Sequence, residues 1–312
     1  MPFLRPMLRR LFRSLSPYLS PFRVVILLGL AGAISAGCVS LEEQQRKWIF
    51  QPSRDAWRGG MAAAEGMQDI WIEFDSRVDN APAKLHALWH PADRADAPVL
   101  LYLHGARWDV RGSAGRMRRM QELGFSVLGV DYRGFGRSSG ELPSEDSAYE
   151  DARQAWAWLA KNYPDRPRYV FGHSLGGAIA IDLAASMDDL DGLIVEGTFT
   201  SIPAVVSSFK WGWLPVSPLI TQRFDSASKI ARVKAPVLIV HGGNDSLIAP
   251  ALGQALYDAA PARKKWLLVE GGSHHSTNTI GHSQYRDAIA ELFGWPAAAA
   301  AAMGTPPGAI LR

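Results

Sequence analysis

A chain of 312 residues, 47% hydrophobic and 20% charged, allows one large domain or two small ones, with ample core either way. Of its 33 basic residues, Arg5, Arg9, Arg10, Arg13 and Arg23 precede the first acidic residue, Glu42, leaving 28 against 30 acidic ones in the remainder. That balance excludes an electrostatic nucleic-acid binder, and a lone cysteine excludes a disulfide framework.

The basic start runs into the apolar stretch Val24–Ile34, then Ser35, Ala36 and Gly37 before Cys38. Such a stretch falls short of the roughly 20 residues that a membrane-spanning helix needs. A positive region, an apolar region and small residues at the exit are the anatomy of a secretory signal. The exit resembles a bacterial lipobox, in which Cys38 would be lipidated and become the mature N-terminus, although Ser35 stands where leucine is usual. Residues 1–38 are therefore expected to be a signal peptide delivering a lipoprotein to the cell envelope, anchored in a membrane and facing the periplasm or exterior. An uncut signal anchor and a soluble cytoplasmic form are the alternatives. Residues 39–65, polar with scattered tryptophans, are expected to be a membrane-proximal linker.

Ile70–Phe74 and Lys84–Trp89 alternate apolar and polar residues around the turn-rich Asp79–Pro82, the pattern of an antiparallel hairpin. Six continuous apolar runs follow: Pro98–Leu103, Ser126–Val130, Tyr169–Phe171, Gly192–Val195, Pro236–Val240 and Lys265–Val269. Such runs suit strands buried on both faces. Helical segments are expected at 112–123, 146–162, 175–187, 250–260 and 283–293. The alternation predicts an α/β domain over 66–295, a mostly parallel doubly wound sheet with an antiparallel N-terminal hairpin. Residues 199–235 interrupt it with Phe199, Phe209, Trp211, Trp213, Leu214 and Phe224 among prolines. A long aromatic insertion predicts a lid over an apolar pocket, the alternative being a surface excursion stapled down by its rings. Residues 296–312 read as a disordered tail.

The chemistry starts at a serine. Two segments match Gly-x-Ser-x-Gly, around Ser138 and around Ser174. Ser138 follows the glycine-rich stretch after Asp131 and precedes Pro143, which places it in a loop. Ser174 has a strand before it and a helix of small residues after it, the setting in which a sharp turn projects a nucleophile clear of a sheet. A serine hydroxyl needs a base to take its proton, and that base needs a carboxylate to hold its tautomer. In this kind of fold the order is serine, acid, histidine. Asp245 follows one strand, with Glu196 after the preceding strand as its rival. His274 and His275 follow the next; His274 is expected to be the base. Two backbone amides must meet the developing oxyanion: Leu175, after the nucleophile, and Ala106 in the loop after Leu103, with Arg107 the fallback. Adjacent histidines do not share a helix face, so no metal site is expected.

Gly172–Gly176, the His104–Gly105 loop, the signature Asp131–Gly140 and Phe224–Ser226 together resemble one branch of the α/β-hydrolase superfamily. That branch contains small membrane-anchored serine hydrolases, among them protein depalmitoylases. The resemblance covers about residues 66–294. It implies the α/β-hydrolase fold, Ser174, Asp245 and His274 as a catalytic triad, and no cofactor. The expected activity is cleavage of a carboxylic ester or thioester through an acyl-enzyme, on a small-molecule or acylated substrate with an apolar chain. An amide-cleaving serine peptidase and a non-catalytic hydrolase-fold binder are the alternatives. Dehalogenase and epoxide hydrolase chemistry is disfavoured, since those relatives use an aspartate where this chain has Ser174.

Overall fold

Strands β1 (Gln68–Ser76), β2 (Ala81–His90), β3 (Val99–Leu103), β4 (Ser126–Val130), β5 (Arg168–His173), β6 (Gly192–Glu196), β7 (Val237–Gly242) and β8 (Lys264–Val269) form one sheet in the computed structural model. Their spatial order is β1-β2-β4-β3-β5-β6-β7-β8. The structure describes residues 40–55, 58–140, 142–209, 217–260 and 263–294. The leader with Cys38, the insertion's Trp211, Trp213 and Leu214, and the tail lie outside them. The chain divides into two units, Met1–Gln45 and Arg46–Arg312; described residues 40–45 of the first are helical, and the sheet belongs to the second. No helix among the described residues is long and apolar enough to cross a membrane.

The β1–β2 and β2–β4 pairs are antiparallel and all later pairs are parallel, as the sequence pattern predicts. Double-sided burial explains the continuous apolar runs of β3 to β7. β8, at the sheet edge, is only partly buried, against the expectation for Lys265–Val269. Val99, Leu101 and Leu103 of β3 enter one hydrophobic layer, and Leu100 and Tyr102 enter the other. β6 repeats the pattern, with Leu193 and Val195 on one side and Ile194 on the other.

Local signals set the helices. Helix Glu145–Asn162 opens with a capping box between Ser144 and Ser147, and two acidic residues in its first turn complement its dipole. Helix Leu175–Ser186, rich in glycine and alanine, lies close against the sheet below it. The expected helix at 112–123 begins instead as a 3-10 turn, Val110–Ser113, before the α-helix Ala114–Glu122.

The stretch read as a linker carries structure too. Residues 46–50 are helical, Arg58–Ala63 forms a short helix, and Phe50 is fully buried. In the insertion, Phe199 and Phe224 are buried at the two ends, while Phe209 is 49% exposed. Short helices Ile202–Ser208 and Ser226–Ile230 lie within it. Its ends are stitched together: the Ile202 amide donates to the Arg223 carbonyl at 2.8 Å, and the Ser226 and Ala227 amides donate to the Thr200 carbonyl at 2.8 and 3.1 Å.

Candidate active site

β5 ends at His173, and helix Leu175–Ser186 begins one residue after Ser174. Ser174 itself takes φ 55°, ψ −122°, a left-handed conformation that a non-glycine residue adopts only under constraint. The constraint is close backbone packing. A Cβ at Gly176 would sit 2.1 Å from the Leu103 carbonyl oxygen, and one at Gly172 would sit 2.3 Å from the Gly176 carbonyl oxygen. Only glycine at both positions lets the turn press against the end of β3. The Ser174 amide donates to the Glu196 carbonyl at 2.9 Å, and its carbonyl accepts from Gly177 N and Thr198 Oγ1, both at 2.9 Å. The hydroxyl is half-buried and has no hydrogen-bond partner among the described residues. Catalytic hydrogen bonds often close only around substrate.

Residues after β7 and β8 meet beside this turn. His274 Nδ1 lies 2.7 Å from Asp245 Oδ2, and both side chains are buried. The other carboxylate oxygen accepts the Leu247 and Ile248 amides, each at 2.9 Å. Burial opposes the Asp245 charge, but the hydrogen bonds of His241 and His274, the His274 charge and the Ile248 amide outweigh it. The carboxyl is held well below the usual carboxylate range. Gly197 links the acid–histidine pair to the elbow. It follows the residue whose carbonyl holds Ser174 N, and at φ 57° its Cα hydrogen faces His274 and Asp245. A Cβ there would lie 3.3 Å from His274 Nδ1 and 3.4 Å from Asp245 Oδ2.

The rival residues go elsewhere. Glu196 Oε1 accepts Arg116 Nε at 2.9 Å, and Oε2 accepts the Tyr285 hydroxyl, so its carboxylate does not meet His274 Nδ1. His275 is exposed. Even so, partial desolvation of its ring, followed by the charges of His274 and Arg116, pushes its pKa down. Ser138 is buried, donates to the Asp131 carbonyl at 2.7 Å and accepts the His86 amide at 2.9 Å, which makes it part of the loop's scaffold.

For the oxyanion, Leu175 is the first residue of its helix, so its amide has no intrahelical acceptor. The Ala106 amide has no acceptor among the described residues, whereas the Arg107 amide donates to the Phe50 carbonyl at 2.9 Å and is committed. A Cβ added at Gly105, just before Ala106, would lie 3.1 Å from the Ser174 Cβ, so the loop passes beside the serine.

Sequence reasoning missed the supports. Arg116 spans from its helix to the His274 and His275 carbonyls at 3.2 and 3.1 Å, while His173 Nε2 donates to the same His274 carbonyl at 2.9 Å. Burial, then the Arg116 and His274 charges, keeps His173 neutral. His241 Nε2 donates to the Ile248 carbonyl at 2.9 Å, bracing the turn that presents Asp245.

Comparison with known proteins bears on this geometry. The family model described as serine aminopeptidase, S33, matches residues 94–228. An uncharacterised protein of Mycobacterium tuberculosis is 29% identical over 271 residues, covering 86% of this chain and 94% of its own. Lysophosphatidylserine lipase ABHD12 of Danio rerio is 32% identical over 207 residues, 57% of this chain and 54% of the lipase, so the chain spans about half that relative's length. Among solved structures, the Pyrococcus furiosus esterase Pf2001 superposes with TM-score 0.61 at 19% identity, covering 78% of this chain and 98% of the esterase. An alpha-beta hydrolase from Vibrio vulnificus gives 0.62 at 20% identity, with 88% and 94% covered. A glycine-flanked serine turn on a sheet shared with nearly the full length of such hydrolases shows that this chain has the α/β-hydrolase fold.

Proposed function

We propose that the chain is a serine hydrolase that cleaves carboxylic esters or thioesters carrying an apolar acyl group. Ser174 is its nucleophile, His274 its base, and Asp245 the acid that orients the base. The observation that carries this reading is the 2.7 Å contact of His274 Nδ1 with Asp245, beside a serine held at φ 55°. With Asp245 accepting from Nδ1–H, the free Nε2 of His274 takes the Ser174 proton as Oγ attacks the carbonyl carbon. The Leu175 and Ala106 amides stabilise the oxyanion. Protonated His274 then gives its proton to the departing alkoxide or thiolate, leaving an acyl-serine. Water enters, loses a proton to His274, attacks the acyl carbon, and the acid is released as Ser174 regains its proton. Residues 199–235 cover the acyl chain as a lid, and a lipid on Cys38 holds the domain at the membrane where acylated substrates lie.

The lipase and esterase names of the relatives support ester chemistry. The aminopeptidase description of the family supports a second reading, cleavage of an amide by the same three residues. Hydrolysis of p-nitrophenyl esters across acyl lengths, set against amino-acid p-nitroanilides, separates the two. We expect turnover of medium-chain esters that vanishes in Ser174→Ala, with fluorophosphonate labelling lost in parallel. Folded protein that neither hydrolyses nor labels at Ser174 would instead be a binding protein.

A further inference from the structure

Residues 46–53 precede the first strand, yet they grip the loop that carries Ala106. The Phe50 ring is fully buried between Phe135 and Phe224, with centroids 6.4 and 5.7 Å away. Its carbonyl accepts the Arg107 amide at 2.9 Å, and Gln51 Oε1 accepts Arg107 Nε at 2.7 Å. Either side, the Ser53 carbonyl accepts the Gly136 amide at 2.9 Å, and the Arg46 guanidinium donates to the Pro143 carbonyl at 2.8 Å and to the Leu142 carbonyl. The segment is therefore tied at both ends to the loop after β4 and in its middle to the loop after β3.

Backbone strain marks the same place. Gln51, Arg107, Trp108 and Phe224 take φ of 46, 68, 56 and 45°, all left-handed and none a glycine. Apart from Ser174, the remaining non-glycine residue of this kind among the described residues is Asn80, in the hairpin turn. Strained residues persist where their surroundings over-determine them, and they gather at functional sites. Here the surroundings are Phe50 and Gln51. With its own amide fixed on Phe50, Arg107 sets the peptide plane that follows Ala106, and so helps fix the direction of the Ala106 amide.

We infer that residues 46–53 are a positioning strap for the oxyanion loop, with Phe50 and Gln51 as positioning residues. The inference rests on the reading of Ala106 as an oxyanion donor. A displaced donor weakens transition-state binding and spares the ground state.

The test uses full-length protein with Phe50→Ala, Phe50→Leu, Gln51→Ala and Gln51→Glu. Each is measured for kcat and KM on p-nitrophenyl butyrate, for thermal melting, and for hydrogen exchange at the Arg107 amide without substrate. Loss of one oxyanion donor costs about 100- to 1,000-fold in kcat, so a misaimed donor in Phe50→Ala should cost about tenfold or more. KM should stay within about twofold and Arg107 exchange should accelerate, with Phe50→Leu recovering most of both. Gln51→Ala should show a smaller loss that Gln51→Glu, which keeps an acceptor for Arg107, reverses. If Phe50→Ala does not fold, the Gln51 pair carries the test. Folded Gln51→Ala with wild-type kcat and wild-type Arg107 exchange overturns the strap. Should the wild type hydrolyse no ester, the proposed function fails alone: faster Arg107 exchange in Gln51→Ala still supports the strap, and unchanged exchange still overturns it.

Discussion

Asp245→Asn isolates one atom of the proposed mechanism. Asp245 Oδ1 accepts the Leu247 and Ile248 amides, each at 2.9 Å. An asparagine must keep its carbonyl oxygen there, because its NH2 would face two donors. The NH2 then points at His274 Nδ1, 2.7 Å from the replaced oxygen, and that nitrogen must become an acceptor. The imidazole proton moves to Nε2, which can no longer take the Ser174 proton. A tautomer reversal of this kind costs about 10⁴-fold in a serine protease triad, so kcat should fall about 10³- to 10⁴-fold here, or about 4–5.5 kcal/mol of transition-state energy. KM should hardly move. The assay is steady-state p-nitrophenyl ester hydrolysis at neutral pH, with Glu196→Gln alongside. Glu196 faces Arg116 and Tyr285, so its change should weaken folding and leave the His274 tautomer intact. Asp245→Asn keeping activity within about tenfold of wild type, while folded Glu196→Gln lost more, would refute this reasoning and make Glu196 the acid.

Two further outcomes follow from packing and charge. In Gly176→Ala the new Cβ meets the backbone oxygens of Leu103 and His104 at 2.1 and 2.5 Å, so urea unfolding should show a loss of at least about 3 kcal/mol; a loss under about 1 kcal/mol would mean the elbow is looser than described. His86 lies between Asp131 at 3.2 Å and Asp69 at 2.8 Å; burial alone would lower its pKa, but the hydrogen bonds to these carboxylates win and raise it above 6.5. A raised pKa stabilises the fold fully below the ordinary histidine range and loses that contribution as pH rises through the folded value. The stability gap between wild type and His86→Gln should therefore narrow steadily in urea titrations from about pH 6.5 upward, and a constant gap would count against a charged His86.

The strands were legible because burial on both faces leaves an unbroken apolar run, as in Val99–Leu103, which no surface helix imitates. Ser174 was separable from Ser138 because a strand and a helix bracket it. The proposed acid, Asp245, was less sharply separated from its rival, since Asp245 follows β7 and Glu196 ends β6. What distinguishes them is Arg116, one of three arginines between positions 116 and 119, whose reach to Glu196 crosses 80 residues of sequence. No spacing rule encodes such a contact. Phe50 was hidden differently: Trp48, Ile49 and Phe50 form a short apolar step in a polar stretch, too brief to carry a period. Its partners Phe135 and Phe224 are far along the chain.

The stitched ends of the insertion bear on how this protein could diversify. Between the Thr200 and Ile202 contacts on one side and Arg223 and Ser226 on the other, the excursion leaves and rejoins at a single point. Closing a loop from fixed ends costs only about 0.6 kcal/mol more for each doubling of its length. Sequence between those stitches can be lengthened, shortened or exchanged between relatives while β6 and β7 keep their register. On the proposed reading of this insertion as a lid, selectivity and chemistry are separately inheritable, and a graft between Ile202 and Arg223 is the natural unit for recombination or for redesign.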